Sequence, residues 1–215
     1  VAVLQGAIPQ DEKWLASNLD ATLERYRRLN DEALGSRLIV WPESAPPDLA
    51  NNLAGYLGRI WATSRARGSD VVMGVVRVAE DGETYYNSML ALSGSEPSFY
   101  DKNHLVPFGE YFPVPRFVRR WLRLMNLPYS DFAGGGEEQP LTAGGVKIAP
   151  SICYEDAYPT EQLLALGQSN ILVNVTNDAW FGHAGARYQH FQIARMRAIE
   201  SRRPLLRAAN DGVSG

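Results

Sequence analysis

Three reactive side chains stand at the ends of short apolar runs. Glu43 follows Arg37-Leu-Ile-Val-Trp41-Pro42, Lys102 follows Phe99-Tyr100-Asp101, and Cys153 follows the alternating residues Val146, Ile148, Pro150 and Ile152. A thiol, an ammonium and a carboxylate sharing one pocket would form a coherent unit. The thiolate is the nucleophile, and a nearby cation lowers its pKa. The carboxylate takes the thiol proton and later moves it to the attacking or leaving group. The lysine can also hold the negative oxygen of a tetrahedral intermediate. The chemistry implied is acyl transfer through a thioester. Each residue also has a plainer reading. A lone cysteine closing an apolar strand is more often a small buried hydrophobe. Glu43 could cap the following segment, and Lys102 could blunt a strand edge.

The elements that must position these groups alternate along the chain. Short apolar runs at 1–5 and 37–41 read as buried strands, and 70–78 is a strand rich in β-branched residues. Residues 85–92 and 98–102 alternate like a hairpin pair about Gly94. Strands are also expected at 146–152, 171–175 and 205–208. Between them, apolar residues recur at helical spacing over 14–34, 53–67, 160–166 and 188–202. Strand–helix alternation puts helices on sheet faces, and the hairpin adds antiparallel edges. The long stretch without clear periodicity, 104–145, reads as an insertion in one domain spanning 1–215.

Composition narrows the function. The 215 residues carry 21 basic and 24 acidic side chains, a net charge of -3, so a nucleic-acid partner is not indicated. One cysteine forms no internal disulfide, and with three histidines it is poor material for a structural zinc site. No run reaches the roughly 18 uncharged apolar residues of a membrane-spanning helix. The chain begins inside an apolar run without Met and stops at the turn signal Asn210-Asp-Gly-Val-Ser-Gly215. It therefore reads as a segment of a longer protein.

Three segments carry a family resemblance. Trp41-Pro-Glu43-Ser, Tyr100-Asp-Lys102-Asn-His-Leu-Val-Pro-Phe-Gly-Glu110 and Ser151-Ile-Cys153-Tyr-Glu155 resemble the signatures of the nitrilase, or carbon–nitrogen hydrolase, superfamily, in its Glu, Lys, Cys order. Within it, the chain is most similar to the periplasmic domains of the apolipoprotein N-acyltransferase subfamily. Gln5-Gly-Ala-Ile-Pro-Gln10, Lys13-Trp14, His104 to Pro113, Asn177-Asp-Ala-Trp180-Phe-Gly, Gln189-His-Phe-Gln and Arg203-Pro-Leu-Leu-Arg207-Ala add to that likeness. The resemblance implies an α/β fold, a nitrilase-like αββα sandwich of mixed sheets with an inserted lid or arm. It implies catalytic roles for Glu43, Lys102 and Cys153, supporting roles for Glu110, Tyr154 and Glu155, and lipid-side roles for Trp14 and Trp180. It further implies no cofactor, a phospholipid acyl donor, a diacylglyceryl apolipoprotein acceptor, and a domain facing the periplasm from the bacterial inner membrane. The family's domain should continue past Gly215.

The residues add their own reading beside it. In the insertion, aromatic and aliphatic residues from Phe108 to Tyr129 interleave with Arg116, Arg119, Arg120 and Arg123. That mixture suits a membrane interface, with the arginines pairing lipid phosphates. Taken alone, it slightly favours an amphipathic helix packed on the domain; with the resemblance, a lid or arm at the membrane surface. Asp131-Phe-Ala-Gly-Gly-Gly136 offers a flexible hinge. Trp14 and Trp180 would ordinarily be core residues. His104, His183 and His190 are poorly placed as a metal set and are expected to make core or loop hydrogen bonds. The rival readings are a soluble amidase or nitrilase using the same three residues, and a binding module on a nitrilase-like scaffold.

Overall fold

A computed structural model describes residues 1–114, 132–136, 139–182 and 185–215, with the backbone alone for 161–164. Strands β1 (Ala2–Val3), β2 (Leu38–Val40), β3 (Asp70–Val78), β4 (Tyr85–Leu92) and β5 (Ser98–Asp101) form one sheet in that order. Strands β6 (Leu141–Ala143), β7 (Val146–Ile152), β8 (Ile171–Thr176) and β9 (Leu205–Ala209) form a second. Both sheets are mixed. β1, β2 and β3 run parallel and β3, β4 and β5 antiparallel, while β6 opposes β7 and β7, β8 and β9 run parallel.

The period-two pattern explains the layering. On β3, Val71, Met73 and Val75 point into one apolar cluster and Val72 into another. The first cluster lies under helices α2 (Leu19–Ala33) and α3 (Ala54–Ala66), which contribute Tyr26, Tyr56, Leu57 and Ile60. The second lies between the sheets, where Leu38, Val40, Met89 and Tyr100 meet Leu141, Ile148, Ile152, Val173 and Val175. A third, with Ala149 and Leu172, sits under α4 (Pro159–Leu166). The order helix, sheet, sheet, helix is the αββα sandwich expected. Each fully buried Val, Leu or Ile contributes about 1.5–3 kcal/mol, and the middle cluster locks the two sheets face to face.

Most elements lie where the pattern placed them, with three differences. The helix expected from Trp14 begins only at Leu19. The preceding residues form a short helix α1 (Gln10–Lys13) and a 3-10 turn over Ala16–Asn18. Strand β6 was read as part of the insertion. It is short, and its hairpin to β7 turns on Gly144 and Gly145, both at positive φ. The described part of the expected hinge is tied down rather than free. Phe132 N–H donates to Glu110 O, Ala133 to Tyr85 O and Gly135 to Lys102 O. A Cβ on Gly135 would come within 2.2 Å of Asp101 O, so glycine there serves close approach. The arginines Arg116, Arg119, Arg120 and Arg123, the apolar residues 117–129 between them, Asp131 and His183 lie outside the described residues.

Candidate active site

Glu43 is positioned by the residue two before it. Trp41 is fully buried, stacks on Tyr26 with ring centroids 5.1 Å apart, and donates its indole N–H to Asn30 Oδ1 at 3.2 Å. The turn after Trp41 then presses on β3. Gly74 N–H donates to Pro42 O, Ala45 N–H donates to Gly74 O, and a Cβ on Gly74 would lie 2.4 Å from Glu43 Cα. Only glycine allows that approach. The Glu43 backbone carbonyl also accepts a hydrogen bond from the buried Lys13 ammonium at 3.1 Å.

Lys102 follows β5 and is 1% exposed. Its Nζ donates to Glu110 Oε1 at 2.9 Å and lies 2.8 Å from Glu110 Oε2 and 4.0 Å from Glu43 Oε1. Asn87, from the adjacent strand β4, donates through Nδ2 to both carboxylates, each at 2.8 Å. Glu110 is itself fixed by the Val106 N–H donating to its Oε2 at 2.8 Å. Two carboxylates therefore flank one ammonium, with an amide bridging them.

Cys153 directly follows β7 and opens a 3-10 turn over Cys153–Ala157. Its φ is +52°, a conformation that residues with a Cβ seldom adopt. The thiol hydrogen-bonds with the Thr176 side chain and feels the charges of Glu43, Lys102 and Glu110. So the structure brings Glu43, Lys102, Glu110 and Cys153 into one electrostatic unit.

The electrostatics differ from the simplest expectation. Burial pushes the Cys153 thiol up to about 12 and Glu43 adds to the rise, against the opposing pull of Lys102 and Thr176. For Lys102, burial favours the neutral amine. The charges of Glu43, Cys153 and Glu110 outweigh it and hold the ammonium above its ordinary value. Around the thiol itself, two carboxylates face one ammonium, with the Lys13 ammonium on the far, backbone side of Glu43. Losing the thiol proton to solvent would add a negative charge beside those carboxylates. Moving it onto Glu43 leaves the total unchanged.

Glu155 is 3% exposed and works through backbone. It accepts hydrogen bonds from the N–H groups of Ile152 (2.7 Å), Asn103 (2.7 Å) and His104 (3.1 Å), and from the Tyr100 hydroxyl (3.0 Å). It thereby ties the end of β7 to the segment after β5. Burial raises its pKa, opposed by those N–H donors and the Lys102 charge. Tyr154 lies apart from the charged groups, half-exposed, accepting a hydrogen bond from the Tyr158 hydroxyl beside His104. Trp14 and Trp180 are not core residues: they are 50% and 70% exposed. Together with Pro9, Gln10, Ala179 and Arg187 they line an open cleft of about 690 Å³. A second cleft, about 370 Å³, is lined by Asn103, His104, Tyr111 and Phe132, next to Lys102 and Glu110.

Several contributing residues escaped the sequence reading. Asn87 sits on an alternating strand, where a polar residue reads as solvent-facing. Lys13 reads as an ordinary charged residue at a helix end, yet it is 1% exposed, and burial lowers its pKa to about 8 against the opposing charge of Glu43. Asn174 and Arg207 interrupt otherwise apolar strands, and that interruption was the available signal. His190 makes the buried hydrogen bonds expected of it.

A model of the carbon–nitrogen hydrolase family matches residues 1–214. Among curated proteins, the chain is 43% identical over 217 residues to the apolipoprotein N-acyltransferase of Methylococcus capsulatus and 42% identical over 216 residues to that of Nitrosomonas europaea. Both alignments cover 100% of this chain, which spans 43% of the length of those relatives. Among solved structures, it matches a carbon–nitrogen hydrolase superfamily protein of Xanthomonas campestris with an arsenic adduct in its active site. That match has a TM-score of 0.67 at 21% identity, covering 99% of this chain and 76% of the other. A nitrilase-superfamily amidase of Nesterenkonia, as a Cys-to-Ala mutant, matches with a TM-score of 0.61 at 18% identity, over 100% of this chain and 76% of the other.

Proposed function

This chain belongs to the carbon–nitrogen hydrolase family, and from that premise we propose that it is the catalytic domain of an apolipoprotein N-acyltransferase. The observation that carries the reading is the full-chain likeness to proteins of that name, at about 40% identity. The grouping of Glu43, Lys102, Glu110 and Cys153 around one thiol supports it. The amidase reading is not favoured, because the likeness to the amidase structure is at the level of fold.

The reaction follows from the charge count. Cys153 Sγ attacks the sn-1 ester carbonyl of a phospholipid as Glu43 takes its proton. The proton passes between neighbours, so the site never carries the extra charge that pushes the thiol up. The tetrahedral oxyanion forms near the Lys102 ammonium, which Glu110 and Asn87 hold in place. Collapse breaks the ester C–O bond, and Glu43 returns its proton to the leaving alkoxide. A lysophospholipid departs and Cys153 carries an acyl thioester. The α-amino group of a diacylglyceryl cysteine at the acceptor's N-terminus then attacks. Glu43 takes the amine proton, the C–S bond breaks, and the thiol is regenerated with an amide as product. The cycle is ping-pong and needs no cofactor.

On this reading Trp14 and Trp180 meet lipid at the open cleft, and Arg116, Arg119, Arg120 and Arg123 meet phosphates at the periplasmic face of the inner membrane. The test uses the full natural length of the protein. Incubation with phosphatidylethanolamine should leave one acyl group on Cys153 by mass spectrometry. A diacylglyceryl peptide should discharge that adduct faster than water does. An adduct persisting in Cys153→Ala, or discharge by water alone, would overturn the reading.

A further inference from the structure

Behind Cys153 lies a second group of buried charges that the acyl chemistry does not use. His190, on helix α5 (Ala186–Ser201), places Nδ1 2.8 Å from Asp178 Oδ1. Its Nε2 is 3.1 Å from Asp156 Oδ1 and 3.2 Å from the Cys153 carbonyl oxygen. All three partners are acceptors, two of them carboxylates. A neutral imidazole would turn a lone pair toward one of them, so the arrangement requires both ring nitrogens to donate.

The rest of the group completes the charge balance. Arg207 Nη1 donates to Asp156 Oδ2 at 3.1 Å and to Asn174 Oδ1 at 2.6 Å, and its Nη2 donates to Asp178 Oδ2 at 3.0 Å. Asn174, paired with Arg207 across β8 and β9, donates through Nδ2 to the Cys153 carbonyl at 3.3 Å. Asp156, Asp178 and Arg207 are 0% exposed. The nucleophile's carbonyl thus accepts from two side chains, at the residue whose φ is +52°.

We infer that His190, as an imidazolium, is a positioning residue: with Asn174 it grips the Cys153 carbonyl and holds the elbow that keeps the thiol within reach of Glu43. The inference rests on the reading of Cys153 as nucleophile and adds what keeps it in place. Burial alone would strip the imidazolium of its proton, but the hydrogen bonds to Asp156 and Asp178 carry its pKa up to about 9. The groups facing it are Asp156 from the 3-10 turn over Cys153–Ala157, Asp178 from another over Asp178–Phe181, Arg207 from β9, and the Phe181 ring at right angles to it. Above that pH the ring keeps a single N–H for partners on both sides, so the grip weakens and acylation slows.

The experiment measures only the first half-reaction, in the full natural length of the protein, so that no substrate amine titrates. The probe is p-nitrophenyl butyrate, read by nitrophenol burst and adduct mass on Cys153. Phosphatidylethanolamine is run in parallel and tests the donor reading separately. In the unmutated protein the acylation rate constant should fall as pH rises through about 9, with tryptophan fluorescence unchanged, a readout that needs no variant. His190→Gln should lose roughly 10- to 100-fold in that rate constant at pH 7.5, with KM for the ester unchanged, and should show no fall near pH 9. Because Lys13 also titrates near this range, Lys13→Gln is included and should retain the fall. A His190→Gln protein with the unmutated rate and profile, or a fall that disappears in Lys13→Gln instead, would overturn the inference. So would the absence of any butyryl adduct in the unmutated protein. An adduct from the soluble ester with none from phospholipid would overturn the donor reading and leave the grip supported by its own pH profile.

Discussion

Two clusters made from the same kinds of groups lie on either side of Cys153. The one in front has two carboxylates, Glu43 and Glu110, on a single ammonium, Lys102. The one behind has two carboxylates, Asp156 and Asp178, matched by His190 and Arg207. The front cluster is balanced only through Lys13, whose ammonium donates to the Glu43 backbone carbonyl, and Glu43 Oε1 stands 4.0 Å from Lys102; this carboxylate can take the neighbouring thiol's proton without changing the total charge. The rear cluster is balanced and has no proton to trade near neutral pH. Its work is to hold backbone. The same residue types thus differ in how tightly each carboxylate is engaged: Asp156 and Asp178 are each held by both His190 and Arg207, whereas Glu43 is held mainly by the Asn87 amide.

Breaking the front cluster should have the largest effect. Cys153→Ala should eliminate the acyl adduct entirely by mass spectrometry, while Cys153→Ser should still bind phospholipid and turn over poorly. Glu43→Gln keeps the Asn87 contact but cannot accept the thiol proton, so Cys153 acylation should fall about 10²- to 10⁴-fold. A burst assay checks this, and an unchanged rate would assign the base elsewhere. Breaking the rear cluster should instead cost stability. Arg207→Met leaves two buried carboxylates against one imidazolium and should lose about 3–5 kcal/mol in urea unfolding. Loss of activity without loss of stability there would erase the contrast between the clusters.

The smallest effect sharpens the contrast through pH. His190 has a folded pKa raised above its unfolded value near 6.5. Its contribution is therefore fully present below about pH 6.5 and fades as pH rises through about 9. The expected loss is on the order of 3 kcal/mol, seen as a falling urea midpoint across that window. His190→Gln should flatten the slope, and a midpoint equally steep in both proteins would mean that another group titrates.

Much of the layering was legible in the residues. Alternation on β3 splits Val71, Met73 and Val75 from Val72, and burial follows that split. Glu43, Lys102 and Cys153 each stood out at a strand end, but only the resemblance of their three segments to one family gave a reason to group them. What was not legible depends on register between distant segments. Asn174 and Arg207 announce themselves as polar residues in apolar strands, but their meeting requires the pairing of β8 with β9. Asn87 gives no signal at all, because only the fold turns its amide toward Glu43 and Glu110. The hairpin of β6 was marked by Gly144-Gly145, yet a three-residue strand is too short to show a period. Trp14 and Trp180 could be read either way from composition, because an aromatic side chain at a cleft mouth carries the same signal as one in the core; the fold places both at the open cleft.

Glu155 has a mechanical consequence. Its one carboxylate gathers donors from the end of β7 in one sheet and from Tyr100, Asn103 and His104 at the edge of the other. Loosening of α2 or α3 at the periphery leaves that knot untouched, whereas slippage of the sheets past each other must untie it first. Thermal inactivation should accordingly be abrupt, tracking the separation of the sandwich halves, with little gradual decline as the outer helices fray.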